Sequence, residues 1–206
     1  MRSVTCPCEA VFEADLPETV DLDARPQALE DILAGSFLSA RCPECGTVVK
    51  PDLPVRILSG SRGMDIQVVP EMERYSFYRG AVSLPSGAEA VIGYRELVER
   101  IRAVQDGVAP RALELIKYLL LARAQQDAPE ADIVLEYAGR KEHSLLFNVW
   151  GLKADEAGIV QVPETVYEKT LSELVRKSAE EPFSRIFAGS YRSIRVLEAD
   201  PEEDAQ

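Results

Sequence analysis

The four cysteines of this 206-residue chain fall in two tight pairs, Cys6-Pro7-Cys8 and Cys42-Pro43-Glu44-Cys45-Gly46. Two thiols separated by two residues can wrap a single turn so that both sulfurs face one cation. Pro43 pre-sets a turn dihedral, and Gly46 tolerates the left-handed backbone that follows such a knuckle. The first pair has one intervening residue, which makes a tighter chelate with fewer backbone donors to sulfur. Together Cys6, Cys8, Cys42 and Cys45 describe a tetrahedral, zinc-ribbon-like site, with zinc the expected ion and iron second. Four protein ligands close the coordination sphere and leave no position for a catalytic water, so such a site is a staple. Two other readings stay open: reversible disulfide or sensing chemistry, and four thiols that merely pack.

The other candidates for chemistry are sparse. His143 is the single histidine, which excludes designs needing two imidazoles, and its place in RKEHSLLF suggests a surface residue at a hairpin turn. Ser59, Gly60, Ser61 and Gly63 in SGSRG resemble a phosphate loop superficially, but no Lys-Ser/Thr follows, so a hairpin connection is expected. ERYSFYRG interleaves Tyr75, Phe77 and Tyr78 with Arg74 and Arg79, a pattern that can stack on bases; strand aromatics covering a helical hairpin are the plainer expectation. Lys plus Arg total 23 against 35 Asp plus Glu, a formal charge of -12. A chain this acidic repels phosphate backbones, which makes nucleic acid a poor partner. The acids gather between Glu9 and Asp31, where Arg25 alone opposes them; a more basic stretch runs from Lys169 to Arg195.

Several elements must position the cysteines. AVFEADL alternates as a short strand. PQALEDILAG reads as a helix from Pro26 to Gly35 with Leu29, Ile32 and Leu33 on one face. SFLSA leads into the second pair as a strand. Pro51 and Pro54 limit TVVKPDLPVRIL to an edge or interrupted strand, and MDIQVVP resumes strand character. From about residue 90 the period becomes helical: YRELVERIRAVQDG turns Leu97, Val98, Ile101 and Val104 to one side, with Glu96 and Glu99 in helical reach of Arg100 and Arg102. Pro110 opens PRALELIKYLLLARA, apolar around most of its circumference, and the short joint implies a helical hairpin. IVLEYAG and HSLLFNVW form a hairpin to which GIVQVP can add a strand. PETVYEKTLSELVRKS is a helix with Val166, Leu171, Leu174 and Val175 as core-facing candidates. YRSIRVLE is a possible last strand, and residues 199–206 are an acidic tail expected to be disordered.

The paired CPC and CPECG, the strand-rich segment after them and RELVERIRAVQDGVAPRALELIKYLL resemble the CpXC domain family of bacterial proteins, over about residues 1–125. The resemblance implies a metal-binding, ribbon-like N-terminal region followed by helices, with no established activity. It carries the ligand role onto Cys6, Cys8, Cys42 and Cys45. The CPC pair departs from CPECG in lacking the spacer residue, and Glu9 stands where Gly46 stands.

An α+β protein is expected: a zinc-ribbon-like β region over 1–80, a helical hairpin over 90–125, and a C-terminal β-hairpin plus helix as an extension over 130–198. LIKYLLLA is interrupted by Lys117, no run reaches a membrane span, and the opening MRSVTCPCEA lacks a signal-peptide core. The expected setting is therefore cytoplasmic, where thiols stay reduced. The expected function is a non-enzymatic structural-zinc protein that engages an unknown protein partner as an interaction or adaptor module. The alternative is a thiol-based redox or metal sensor.

Overall fold

A computed structural model describes residues 1–153 and 156–199, so all but the first residue of the acidic tail expected over 199–206 lies outside the described residues. It is a mixed α+β structure with several small sheets. Packing groups it into two compact units, Met1–Val98 and the residues from Glu99 on.

In the first unit, β1 (Arg2–Thr5) and β2 (Val11–Ala14) form an antiparallel hairpin. After β3 (Thr19–Asp21) comes α1 (Pro26–Ala34). Its limits are those the sequence implies: Pro26 fits the first turn, whose N–H has no helical partner, and Gly35 ends the helix at φ 78°. Ala28, Leu29 and Ile32 face inward. The strand expected over SFLSA shrinks to β4 (Ala40–Arg41), which pairs with β5 (Val48–Val49). Phe37 and Leu38 are both buried and Leu38 has φ 54°, and two consecutive inward side chains at a left-handed turn are incompatible with an alternating strand.

Pro51 and Pro54 interrupt the next segment as expected, and both precede β6 (Val55–Ser59). The ladder thus keeps its donors, and β6 is an inner strand of the four-stranded sheet β3-β6-β7-β8, with β7 at Met64–Val69 and β8 at Glu89–Ile92. Val55, Ile57, Ile66 and Val68 supply its buried face. ERYSFYRG is not a strand: α2 spans Arg74–Tyr78. Arg74 is buried, donating to the Glu71 carboxylate, to Glu96 at 2.9 Å and to the Tyr78 hydroxyl at 3.0 Å. Those ion pairs fix the segment as a turn of helix.

SGSRG is the β6–β7 hairpin connection, and it does hold an anion, one of the chain's own. The Ser61 N–H (2.9 Å) and hydroxyl (2.6 Å), the Ser59 hydroxyl (2.7 Å) and Arg62 converge on the Asp23 carboxylate. The Ser61 and Ser59 hydrogen bonds, with Arg62, hold the Asp23 carboxyl down at about 2.

α3 (Gly93–Gln105) carries the chain into the second unit, followed by α4 (Pro110–Asp127). β9 (Val134–Lys141), β10 (Ser144–Lys153) and β11 (Glu156–Pro163) form an antiparallel sheet in the order β11-β10-β9, the expected hairpin with its third strand. α5 spans Glu164–Lys177 and α6 Phe183–Ile186. α4 lies chiefly against α5 and β9, so the expected side-by-side helical hairpin is not its main contact. Its apolar circumference explains this. Ala112, Leu113 and Ile116 face a core with Tyr137, Leu145, Phe147 and Tyr167, while Leu115 packs with Phe183, Ile186 and Phe187.

Two further expectations are corrected, and Lys117 gains partners. α5 buries Tyr167 and Thr170, whereas Val166, Leu171 and Val175 are exposed. YRSIRVLE is a 3-10 helix over Ile194–Ala199, where the Ile194 N–H donates to Glu114 and not to a strand. Lys117, which interrupts the apolar run, is buried, donating to Glu99 at 3.1 Å and Glu114 at 2.8 Å. Burial disfavours its ammonium, but the two carboxylates outweigh that and raise its pKa. Burial raises the Glu99 carboxyl against the pull of Lys117.

Two outcomes follow. Because the Asp23 pKa is depressed in the folded state, its stabilisation is present above about pH 4 and lost as pH falls towards 2. Asp23→Asn should lower the melting temperature at pH 7 and flatten its fall between pH 4 and 2; an unchanged acid slope would refute the assignment. Lys117→Ala leaves two carboxylates buried without their cation and should cost about 3–5 kcal/mol in urea unfolding.

Candidate metal centre

Each cysteine pair occupies the tip of a two-stranded hairpin. Thr5 pairs with Val11 below the first tip, and Arg41 with Val48 below the second. The tips are therefore residues 6–10 and 42–47, and the first is one residue shorter. Both close in the same way. The Cys6 N–H donates to the Ala10 carbonyl at 2.9 Å and the Cys42 N–H to that of Thr47 at 2.8 Å. Inside these, the Glu9 N–H donates to the Cys6 carbonyl at 2.8 Å and the Gly46 N–H to that of Cys42 at 3.0 Å.

The two knuckles also share their special backbone position: Glu9 has φ 69° and Gly46 φ 74°. The shorter loop absorbs its missing residue between the cysteines and leaves the hydrogen-bonded frame intact. In both, the first cysteine is buried and the second exposed: Cys6 and Cys42 lie inside, Cys8 and Cys45 outside.

The hairpins bring all four sulfurs within 4.8 Å of one another. Cys6 and Cys45 Sγ are 3.5 Å apart, and Cys8 and Cys42 Sγ 3.8 Å. A tetrahedron with zinc–sulfur bonds of about 2.3 Å has edges of about 3.8 Å. A disulfide needs about 2.05 Å, so the four are free thiols at the spacing of ligands to one soft cation. The donor set thus fits a metal ion on geometry as well as residue type.

The thiols differ in acidity. Hydrogen bonds from the Thr47 hydroxyl and N–H, with smaller ones from Cys8 and Cys6, hold the Cys45 thiol down at about 6. The Cys8 N–H favours the Cys6 thiolate, but burial and the surrounding thiols outweigh it and push Cys6 up to about 12. A metal entering this cluster displaces protons, so its affinity must rise with pH. Sequence reasoning found all four sulfurs but missed Thr47, and it missed Arg41, whose guanidinium donates to the Gly46 carbonyl at 2.7 Å and braces the second knuckle. Both flank CPECG directly, and that adjacency was the available signal.

The remaining candidates are not members of the four-sulfur cluster. His143 is exposed in the β9–β10 turn. Arg74 is committed to carboxylates. Within the basic stretch, Arg176 and Lys177 pair with Glu173, Arg176 also with Glu180, and Arg195 with Glu198.

The family model described as CpXC protein matches residues 4–117, more than half of the chain and both knuckles. The chain belongs to the CpXC family. It is also similar to an uncharacterised protein of Treponema pallidum (strain Nichols), at 26% identity over 97% of this chain and 100% of that one. No solved structure matches this chain.

The paired left-handed positions separate backbone from side-chain roles. No atom lies near a Cβ built on Gly46, so Gly46→Ala meets only the left-handed conformation and should cost about 1–2 kcal/mol. Glu9→Gly relieves the same strain in the first knuckle and should raise the melting temperature, with metal content unchanged.

Proposed function

We propose that this chain is a non-enzymatic zinc protein in which a structural four-cysteine site of the zinc-ribbon type holds together a protein-interaction or adaptor module. The observation that carries the reading is the spacing of the four sulfurs, close to the edges of a zinc tetrahedron and supplied by two matching hairpin tips. Cys6, Cys8, Cys42 and Cys45 hold the ion and complete its coordination. What the zinc supplies is a cross-link between two hairpins, and its binding energy is folding energy for the unit.

A cytoplasmic setting agrees with thiols kept for a metal, and among the described residues no helix is long and apolar enough to cross a membrane. A protein partner is favoured over nucleic acid by the net charge of -12 and by the ion pairs that occupy Arg74, Arg176 and Lys177. We place the family domain over residues 1–125 and its extension over 130–198.

A thiol-redox or sensing role is the second reading, favoured by the exposure of Cys8 and Cys45. The short contacts run between the knuckles, so oxidation would join Cys6 to Cys45 and Cys8 to Cys42.

Anaerobically purified protein should contain one zinc per chain, and Cys42→Ser should lose it. Chelation should unfold the N-terminal unit, and zinc should leave as pH falls, because protons then compete for the thiolates. Metal-free protein with four titratable thiols and an unchanged fold would refute the structural role. Reversible loss of two or four hydrogens, with metal release, would move the assignment to sensing. Substrate turnover by the purified chain would end the non-enzymatic reading.

A further inference from the structure

The second unit carries an open apolar groove of about 560 Å³ beside α4. Its wall is α4, through Ile116, Leu119 and Leu120, and its floor and far side are Leu152, Val160 and Val166. Leu119, Leu152 and Val166 are each between 43% and 49% exposed, so the groove is shallow and wet at its rim. A small ligand would leave that rim in water, whereas sites for small molecules cover most of the ligand. The shape suits a helix laid alongside α4. Arg123 stands at the rim, one turn beyond Leu119 and Leu120, and makes no hydrogen bond or ion pair among the described residues.

The chain itself exposes a helix of matching pattern. On α5, Glu168, Leu171 and Val175 are spaced i, i+3, i+7 and so share one face. Leu171 is 43% exposed and Val175 87%. Glu168 is exposed and, like Arg123, without a polar partner among the described residues.

On α4 the sequence of types is Arg123, then Leu120 and Leu119, then Ile116. On α5 it is Glu168, then Leu171, then Val175. Both series span seven residues, about 10 Å of helix. Laid antiparallel, they put Glu168 against Arg123, Leu171 against Leu120, and Val175 at the level of Ile116, which lines the groove from the core side with 2% of its surface exposed. Glu164 then falls opposite Asp127, a like charge, but Glu164 is already paired with its own Arg140.

We infer that the groove receives α5 of a second copy of this chain, antiparallel to α4, with an ion pair between Arg123 and Glu168 across the interface. A two-fold axis makes the contact twice, since every copy offers one groove and one helix. The pairing accounts for two features the isolated chain leaves unexplained: a nearly bare valine on a helix, and an apolar groove with an unpaired cation at its edge.

Sedimentation of the full chain under reducing conditions tests this. The wild type should be dimeric at about 10 μM, an affinity within the ordinary range for such contacts. Val175→Glu should be monomeric with unchanged circular dichroism and metal content, because Val175 touches little in its own copy. Arg123→Glu and Glu168→Arg should each weaken dimerisation at least about tenfold, and the double variant should recover most of that loss. A wild type that stays monomeric at about 100 μM would overturn the inference. So would a dimer that Val175→Glu leaves intact, or a double variant no better than the singles.

Discussion

The N-terminal unit depends on a contact between two points far apart in sequence. Cys6 and Cys45 are 39 positions apart, yet their sulfurs meet at 3.5 Å, with Cys8 and Cys42 beside them. Bringing such points together costs loop-closure entropy that two small hairpins cannot offset. A cation shared by the four thiolates, as proposed, would supply a large, localised stabilisation. Everything between the pairs then serves to return the chain: β3 and α1 pack their apolar residues into the unit, and Gly35 turns the chain toward the second knuckle.

The matching frames of the two knuckles show what such a tip requires. Hydrogen bonds across each base fix where it closes, and a left-handed residue after the second cysteine redirects the backbone into the outgoing strand. Whether one or two residues separate the cysteines matters less than this frame. Glycine meets the requirement without strain and glutamate meets it under strain, so the CPC tip is the tauter of the two.

The second unit has no comparable group of close-set cysteines among its described residues, and its polar anchor is Lys117 between Glu99 and Glu114. Glu99 also accepts the Tyr137 N–H and Glu114 the Ile194 N–H, so the cluster ties α3, α4, β9 and the last helical turn together. Buried charges at one point allow few alternative packings, and the apolar α4 could otherwise slide against several neighbours. Membership of the CpXC family rests on residues 4–117. Much of this anchor lies within that span, while Tyr137 and Ile194 lie beyond it.

Types and spacing in the sequence determined the features that are local: the CPECG turn, the proline and glycine limits of α1, the β9–β10–β11 meander and the four sulfurs as one group. Each is a property of a few adjacent residues or a short period. Tertiary structure alone decided which faces are buried. Val166, Leu171, Leu174 and Val175 look like a core stripe, but of these only Leu174 packs against a core, and Tyr167 and Thr170 are the buried residues of the helix, since burial depends on what lies opposite. Lys117 reads as a charge that breaks an apolar run until two carboxylates from different turns close around it. SGSRG reads as a bare loop until Asp23 enters it from 36 positions away. In each case the missing information is a partner distant in sequence, and period and propensity carry no record of that.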